Sequence, residues 1–428
     1  MLSLQEDFIQ VLNKQVQPAL GCTEPVAIAL ACAKASSLLQ GKIKYIQVET
    51  SKGVFKNAHG VGIPNTGETG IFIAAALGAL VANPELGLQV LEAVADEDVK
   101  EAHKLVAANK VETRYTGDFE GVYVKATVKK TEGQGIACIS GMHDHFSYVE
   151  KNGQVLYTEE FMSNEPTESF SMKNIKVADI ITTVSNMDFS SLSFLLKGVE
   201  MNKNIAREGL KGKYGLSIGY GYGLLQEQGV LGRDIVDEVK MLVTAASDAR
   251  MGGSSLPVMT SCGSGNQGII ITLSIAKVAE KLGKTEEETA KALAISHLVN
   301  AYVKEHLGVL APICGASVSA GLGTTASITW LLGGNIERIT GAMQGVAANL
   351  TGILCDGAKS TCSFKLATSA GEAIISAYLA MEDIYIHKVQ GIIGETIEDT
   401  IRNFSLISKD GMGKADETIL DIMLKNAQ

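Results

Sequence analysis

From Leu307 to Asn335 the chain carries no charged residue. An uncharged run of that length either crosses a membrane or lies inside a large interior. Here it is punctuated by Gly, Ser, Thr, Pro and Cys, which marks buried core rather than a lipid-facing span. A chain of 428 residues with 46% hydrophobic and 20% charged residues has the material for such a core. Its 45 glycines and its 5% of aromatics suit closely packed helices joined by many loops. The net charge is −10 and no basic stretch stands out, which argues against nucleic acid and anionic membranes as partners.

The start, MLSLQEDFIQVLNKQ, is amphipathic with early acids and does not read as a secretory leader. The seven cysteines are an odd number, so full disulfide pairing is excluded, and reduced thiols in a cytoplasmic protein are expected.

Periodicity predicts a helix over 3–18. GCTEP at 21–25 interrupts, and Pro25 suits the first turn of a second helix running to about Leu39. Ile43–Thr50 alternates as a strand does. HGVGIPNTGETG at 59–70 is a loop, followed by helices over 71–82 and 96–108. From Lys110 to Thr158 short β-branched runs alternate with turns, so a small, mostly antiparallel sheet is expected. Beyond Asn174 the pattern is helical, over 176–185, 189–208, 231–250, 268–282, 286–304, 315–332, 336–353 and 364–380. Thr285 followed by three glutamates marks one helix start. The predicted fold class is α+β. A large, mostly helical domain combines 1–39 with 171–428, and a smaller α+β domain over 40–170 carries the antiparallel sheet.

Three cysteines lie in or beyond the uncharged stretch, each among small residues: Cys314 in ICGAS, Cys355 in LCDGA and Cys362 in STCSF. Thiols in a dry interior, with no adjacent histidine and no C-x-x-C spacing, favour an iron–sulfur cluster over zinc. The alternative is that they are buried small apolar residues, as free cysteines often are. Were 355–362 one helix, the two sulfurs would lie about 10 Å apart along its axis. Asp356-Gly357 argues instead for a bend that turns both toward one face. Three thiolates on a four-iron cube leave one iron open as a Lewis acid.

Cys22 lies just before a helix start, where free N–H groups and the helix dipole favour a thiolate. Glu24 beside it either opposes this or relays a proton. Cys32 and Cys138 read as core. SCGSGNQG at 261–268 contains G-x-G-x-x-G, but the helix after it is followed by another helix, which disfavours a dinucleotide site. A glycine loop feeding a helix still offers N–H groups to an anion such as a carboxylate. Lys213–Gly223 reads as a second glycine-rich loop, His143-Asp144-His145 as a solvent-facing turn, and His297 and His306 as packing or surface residues.

Five blocks then stand together: GCTEP at 21–25, GIPNTG at 62–67, RMGGSSLPVMTSCGSGNQG at 250–268, CGASVSAG at 314–321 and CDGAKSTC at 355–362. In combination they resemble the L-cysteine desulfidase family, which is similar to the alpha chain of iron–sulfur L-serine dehydratases. The likeness runs over nearly the whole chain, and it is the combination that is specific. The resemblance implies a 4Fe-4S cluster held by Cys314, Cys355 and Cys362, with Cys22 as general base. The implied reaction is β-elimination of L-cysteine to sulfide, ammonia and pyruvate without pyridoxal phosphate. L-serine dehydration is the near alternative, and a non-catalytic iron–sulfur or sulfur-carrier protein the distant one. Cys262 is the rival for a ligand position. Asn65, Thr66, Arg250, Ser261, Ser264, Gly265 and Asn266 are the residues expected to hold the substrate, through its α-carboxylate. The expected partners are a small amino acid and a second copy of the chain.

Overall fold

Alternation in Ile43–Ser51 buries Ile46 and Val48 on one face and so seeds a sheet. The computed structural model describes residues 2–64, 66–117, 119, 121–159, 170–308 and 310–426. Six strands follow the spatial order Val111–Thr116, Ile43–Ser51, Tyr123–Lys130, Gly133–Ser140, Phe146–Lys151 and Gln154–Thr158. Neighbours are antiparallel except the first two strands, which are parallel. A parallel pair needs a long crossover, and helices Lys52–Ala58, Ile71–Val81 and Asp96–Ala107 lie within it.

The helix Thr23–Ser37 covers the sheet. Its run AIALACAKA is small enough for close approach: a Cβ on Gly135 would sit 2.2 Å from Ala35 O, and one on Gly78 would sit 2.0 Å from Ala29 O. By packing this helix belongs to the sheet's core, with Ile46, Val48, Leu77, Val124 and Ile139. The helix Leu2–Gln15, by contrast, packs into the helical core through Phe8 and Leu12. Leu420 of the last helix, Gly413–Asn426, also joins the sheet's core.

The larger core is helical. The uncharged run becomes an irregular segment followed by the helix Ser319–Leu331, whose residues are almost all buried. This helix packs on Glu286–Leu307 and Cys362–Met381. The run is therefore interior, as its punctuation suggested. Among the described residues no single helix is long and apolar enough to cross a membrane. The bent pair Ile71–Val81 and Pro84–Ala93 passes on length and composition, and most of its first helix is buried in the protein.

Two expectations change. The segment 189–208 is broken by a tight turn before the helix Leu196–Gly209. The supposed second glycine loop is largely the helix Ile218–Glu227. Gly219 serves contact rather than looping: a Cβ there would lie 2.5 Å from Ala245 Cα in the helix Ile235–Met251. Asp248 of that helix accepts from Gly219 N at 2.9 Å and from Ser363 Oγ at 2.8 Å, which fastens the start of the Cys362–Met381 helix.

Candidate active site

A two-residue strand pair sets up the site. Pro18–Ala19 pairs antiparallel with Val258–Met259. Cys262 N then donates to Gln15 O at 3.0 Å and Thr260 N to Gln17 O at 2.9 Å. These bonds pin the segment 21–25 beside the segment 261–268. Between the two cores a cavity of about 120 Å³ opens. Cys22, Glu24, Lys56, Asn57 and His143 line it from the sheet side. Arg250, Cys262, Gln267, Lys304, Cys314, Cys355 and Cys362 line it from the helical side.

Cys314 and Cys355, forty residues apart in sequence, meet through an isolated antiparallel bridge, Ile313 with Leu354. Cys314 N donates to Ile353 O at 2.9 Å, and Cys355 N donates to Pro312 O at 2.6 Å. The two cysteines flank the bridge diagonally, so their side chains leave the same face. After Cys355 the chain bends at Gly357 (φ +94°), where a Cβ would lie 2.3 Å from Lys56 O. This is the bend that Asp356-Gly357 foretold. The Asp356 carboxylate is clasped by Lys359 and Lys365; burial raises its pKa, but the two ammonium groups outweigh that and bring it to about 2. Cys362 then opens its helix, with Sγ 3.6 Å from Gly357 O.

As a candidate donor set, Cys314, Cys355 and Cys362 offer three thiols to the cavity. Burial, and then the neighbouring Cys314, push the Cys362 thiol up to about 11. Cys355 is also raised, by burial first, with Lys56 opposing. Such thiols become ligands when metal displaces their protons. Among the described residues no three His, Cys, Asp or Glu side chains converge as they would on a single ion. An iron–sulfur cube spreads its ligands over separate irons, so thiols around one cavity fit it.

Cys22 caps the Thr23–Ser37 helix, but its side chain bonds no helix N–H. Its thiol donates to Glu24 Oε2 at 2.9 Å. Burial, and then the Glu24 charge, hold its pKa well above the ordinary thiol value despite Arg250. The expected thiolate at a helix start is thus overruled by desolvation and a carboxylate. Glu24 also accepts from Asn57 Nδ2 at 3.0 Å, with His143 Nε2 at 3.9 Å. Burial raises the Glu24 pKa, but His143, Cys22 and Asn57 together bring it below its usual value.

The expected substrate residues divide. Arg250, Ser264 and Asn266 line the cavity. Arg250 Nε donates to Gly21 O and Nη1 to Asn266 Oδ1, both at 3.1 Å, so these two side chains engage each other. Ser264 caps the helix Gly265–Lys281 through Gln267 N. Gly265 lies against Arg250, where a Cβ would fall 2.3 Å from Nε. Ser261 is fully buried, and its hydroxyl is held by His297 Nδ1 and Asn300 Nδ2, each at 2.9 Å, which corrects its assignment to the substrate. Thr66 is not among the lining residues; its hydroxyl donates to Ile63 O at 2.9 Å and closes a turn. Asn65 falls outside the described residues. Cys262 lines the cavity in a left-handed conformation (φ +50°), and burial pushes its thiol up to about 12.

Lys56, Asn57, His143, Gln267 and Lys304 were not foreseen as lining residues. In the HDH turn, read as solvent-facing, Asp144 is exposed as expected, while His143 turns into the cavity. Gln267 lies within the SCGSGNQG stretch, but no motif marks Lys56, Asn57 or Lys304. The available signal was the register of helix faces: Lys304 follows His297 and Asn300 along one side of the helix Glu286–Leu307.

The sequence profile described as "Serine dehydratase alpha chain" matches residues 85–421. A UPF0597 protein of Alkaliphilus oremlandii is 42% identical over 424 residues, covering 99% of each chain. One from Clostridium botulinum (strain Okra) is 40% identical over 423 residues, covering 99% of this chain and 98% of that one. One from Clostridioides difficile is 40% identical over 425 residues, covering 97% and 98%. The profile spans all three clustered cysteines, and the relatives span Cys22 as well. On the breadth of that match, this chain belongs to the serine dehydratase alpha chain family.

Proposed function

We propose that the protein is an iron–sulfur lyase that eliminates the β-substituent of a small amino acid, with L-cysteine as substrate and sulfide, ammonia and pyruvate as products. The observation that carries this is the single cavity lined by Cys314, Cys355, Cys362 and Cys22 together. Cys314, Cys355 and Cys362 would hold a 4Fe-4S cluster. When bound, it would supply an iron without a protein ligand, a Lewis acid toward the departing heteroatom.

The protein's own groups handle the proton. Cys22 Sγ shares its proton with Glu24, which accepts it when the thiolate is needed; that thiolate takes the Cα proton. Asn57 and His143 hold Glu24 ionised, so that its oxygen stands open to the Cys22 proton. Lys56, Arg250 and Lys304 give the cavity a positive field, which favours both ligand thiolates and a substrate carboxylate. The enamine released tautomerises and hydrolyses to pyruvate and ammonia.

L-serine is the second reading, and the family description favours it. Iron's affinity for sulfur favours cysteine. Anaerobic assays of sulfide and pyruvate from L-cysteine, beside pyruvate from L-serine, decide between them through kcat/KM. Changing Cys314, Cys355 or Cys362 singly to Ser should lower iron and acid-labile sulfide per chain. Cys22→Ala should keep both and lose turnover by about 10²-fold or more. A Cys22→Ala protein that turns over normally would remove the base from the scheme.

A further inference from the structure

Gly315 directly follows Cys314, and a Cβ there would lie 2.9 Å from Gln267 Nε2 and 3.6 Å from Lys304 Nζ. Two polar head groups therefore converge beside a cluster thiol, over a glycine that leaves them room. Both residues line the cavity. Gln267 is 5% exposed, and its Oε1 is buried with no hydrogen-bond partner. An unpaired buried amide oxygen is unfavourable unless something donates to it. Lys304 is 9% exposed and brings a cation to the same place.

Resting on the lyase reading above, we propose that Gln267 and Lys304 read the amino-acid end of the substrate. Lys304 Nζ and Gln267 Nε2 donate to the α-carboxylate, and Gln267 Oε1 accepts from the α-ammonium. One carboxamide meets donor and acceptor needs of a zwitterion at once. Anchoring there leaves the β-substituent beside Cys314. The site so built takes α-amino acids and rejects molecules that lack either charged group, because a missing partner leaves a buried group unpaired.

L-Alanine tests this, since it has the zwitterion but no leaving group. Anaerobic calorimetry on the iron-loaded protein compares L-alanine with propionate, which lacks the ammonium, and ethylamine, which lacks the carboxylate. The wild type should bind L-alanine best. Gln267→Leu and the milder Gln267→Asn should each weaken L-alanine by about tenfold or more. KM for L-cysteine should rise with kcat little changed, and iron content should stay at the wild-type level. Lys304→Met should weaken both L-alanine and propionate while sparing ethylamine. Folded, iron-loaded Gln267 variants that bind L-alanine with wild-type affinity would overturn the assignment while leaving the lyase reading intact. A wild-type protein that neither binds L-alanine nor forms pyruvate from cysteine or serine would overturn both.

Discussion

Cys22 and Glu24 act on each other before they act on any substrate. The thiol's proton points at a carboxylate 2.9 Å away; burial and the Glu24 charge hold that proton on sulfur, and the hydrogen bond from Cys22 in turn helps to keep Glu24 ionised. If they work as one base, their losses do not add. Glu24→Gln and Cys22→Ala should each reduce kcat by about 10²-fold or more, and the double variant should be no worse than the poorer single. Additive losses in the steady-state assay would separate their roles. His297 gives a different residue-scale outcome. Burial depresses its pKa to about 3 while it holds Ser261 beneath the cavity loop. An unfolded imidazole titrates near pH 6.5, so the unfolded chain takes the extra proton first. The stability tied to neutral His297 is full above about pH 6.5 and is lost as pH falls toward 3. Between about pH 6.5 and 5 that amounts to about 2 kcal/mol. Urea midpoints should fall with pH over this window, and His297→Gln should flatten the fall.

At the scale of elements, legibility tracked how local each cause was. Helix Val177–Ser185 and strand Ile43–Ser51 follow from periodicity within their own residues, and both appear within a residue or so of expectation. The helix Ile218–Glu227 did not, because IGYGYG suggests a loop until Ala245 is known to lie against Gly219. Cys314, Cys355 and Cys362 stood out as residue types in small-residue settings, and all three line one cavity. The Ile313–Leu354 bridge that joins two of them was not legible, since no spacing announces a pairing forty residues apart. Gln267 sits in the glycine stretch already marked for an anion, but its meeting with Lys304 was hidden for a related reason: Lys304 comes from another helix. The helix carrying Cys22 and Glu24 at its start lies backbone to backbone on Ile71–Val81 through Gly78 and Ala29. Gly78→Ala would force the two helices apart, since the atom it meets is a carbonyl oxygen and cannot rotate away. The expected destabilisation is about 1–3 kcal/mol, read as a lowered urea midpoint. KM for the amino acid should also shift, because the Cys22 end of the helix moves with the rest.

On the scale of the whole molecule, the cavity is a seam between two cores, so whatever holds the cores together also sets the cavity's charge. The last helix, Gly413–Asn426, returns from the helical core to the sheet side and meets the helix Lys52–Ala58 with two ion pairs. Lys52–Glu417 spans 2.6 Å, but Glu417 is mostly exposed and Lys52 about a third exposed, so its contribution is about 0.5 kcal/mol. Lys56–Asp416 spans 2.5 Å, and Lys56 is only 3% exposed and lines the cavity. Removing Asp416 strands a buried cation. A fully buried pair broken this way costs about 3–5 kcal/mol, and the partial exposure of Asp416 reduces that to about 2 kcal/mol. Asp416→Ala should therefore lower the urea midpoint well beyond Glu417→Ala. It should also tighten anions at the cavity, because Lys56 loses its counter-charge there. A carboxylate such as propionate should bind Asp416→Ala better than wild type at low salt, with the gain shrinking as salt rises. Equal midpoints for the two variants would mean that the inner pair does not fasten the seam, leaving apolar contacts such as Leu420 to hold the last helix alone.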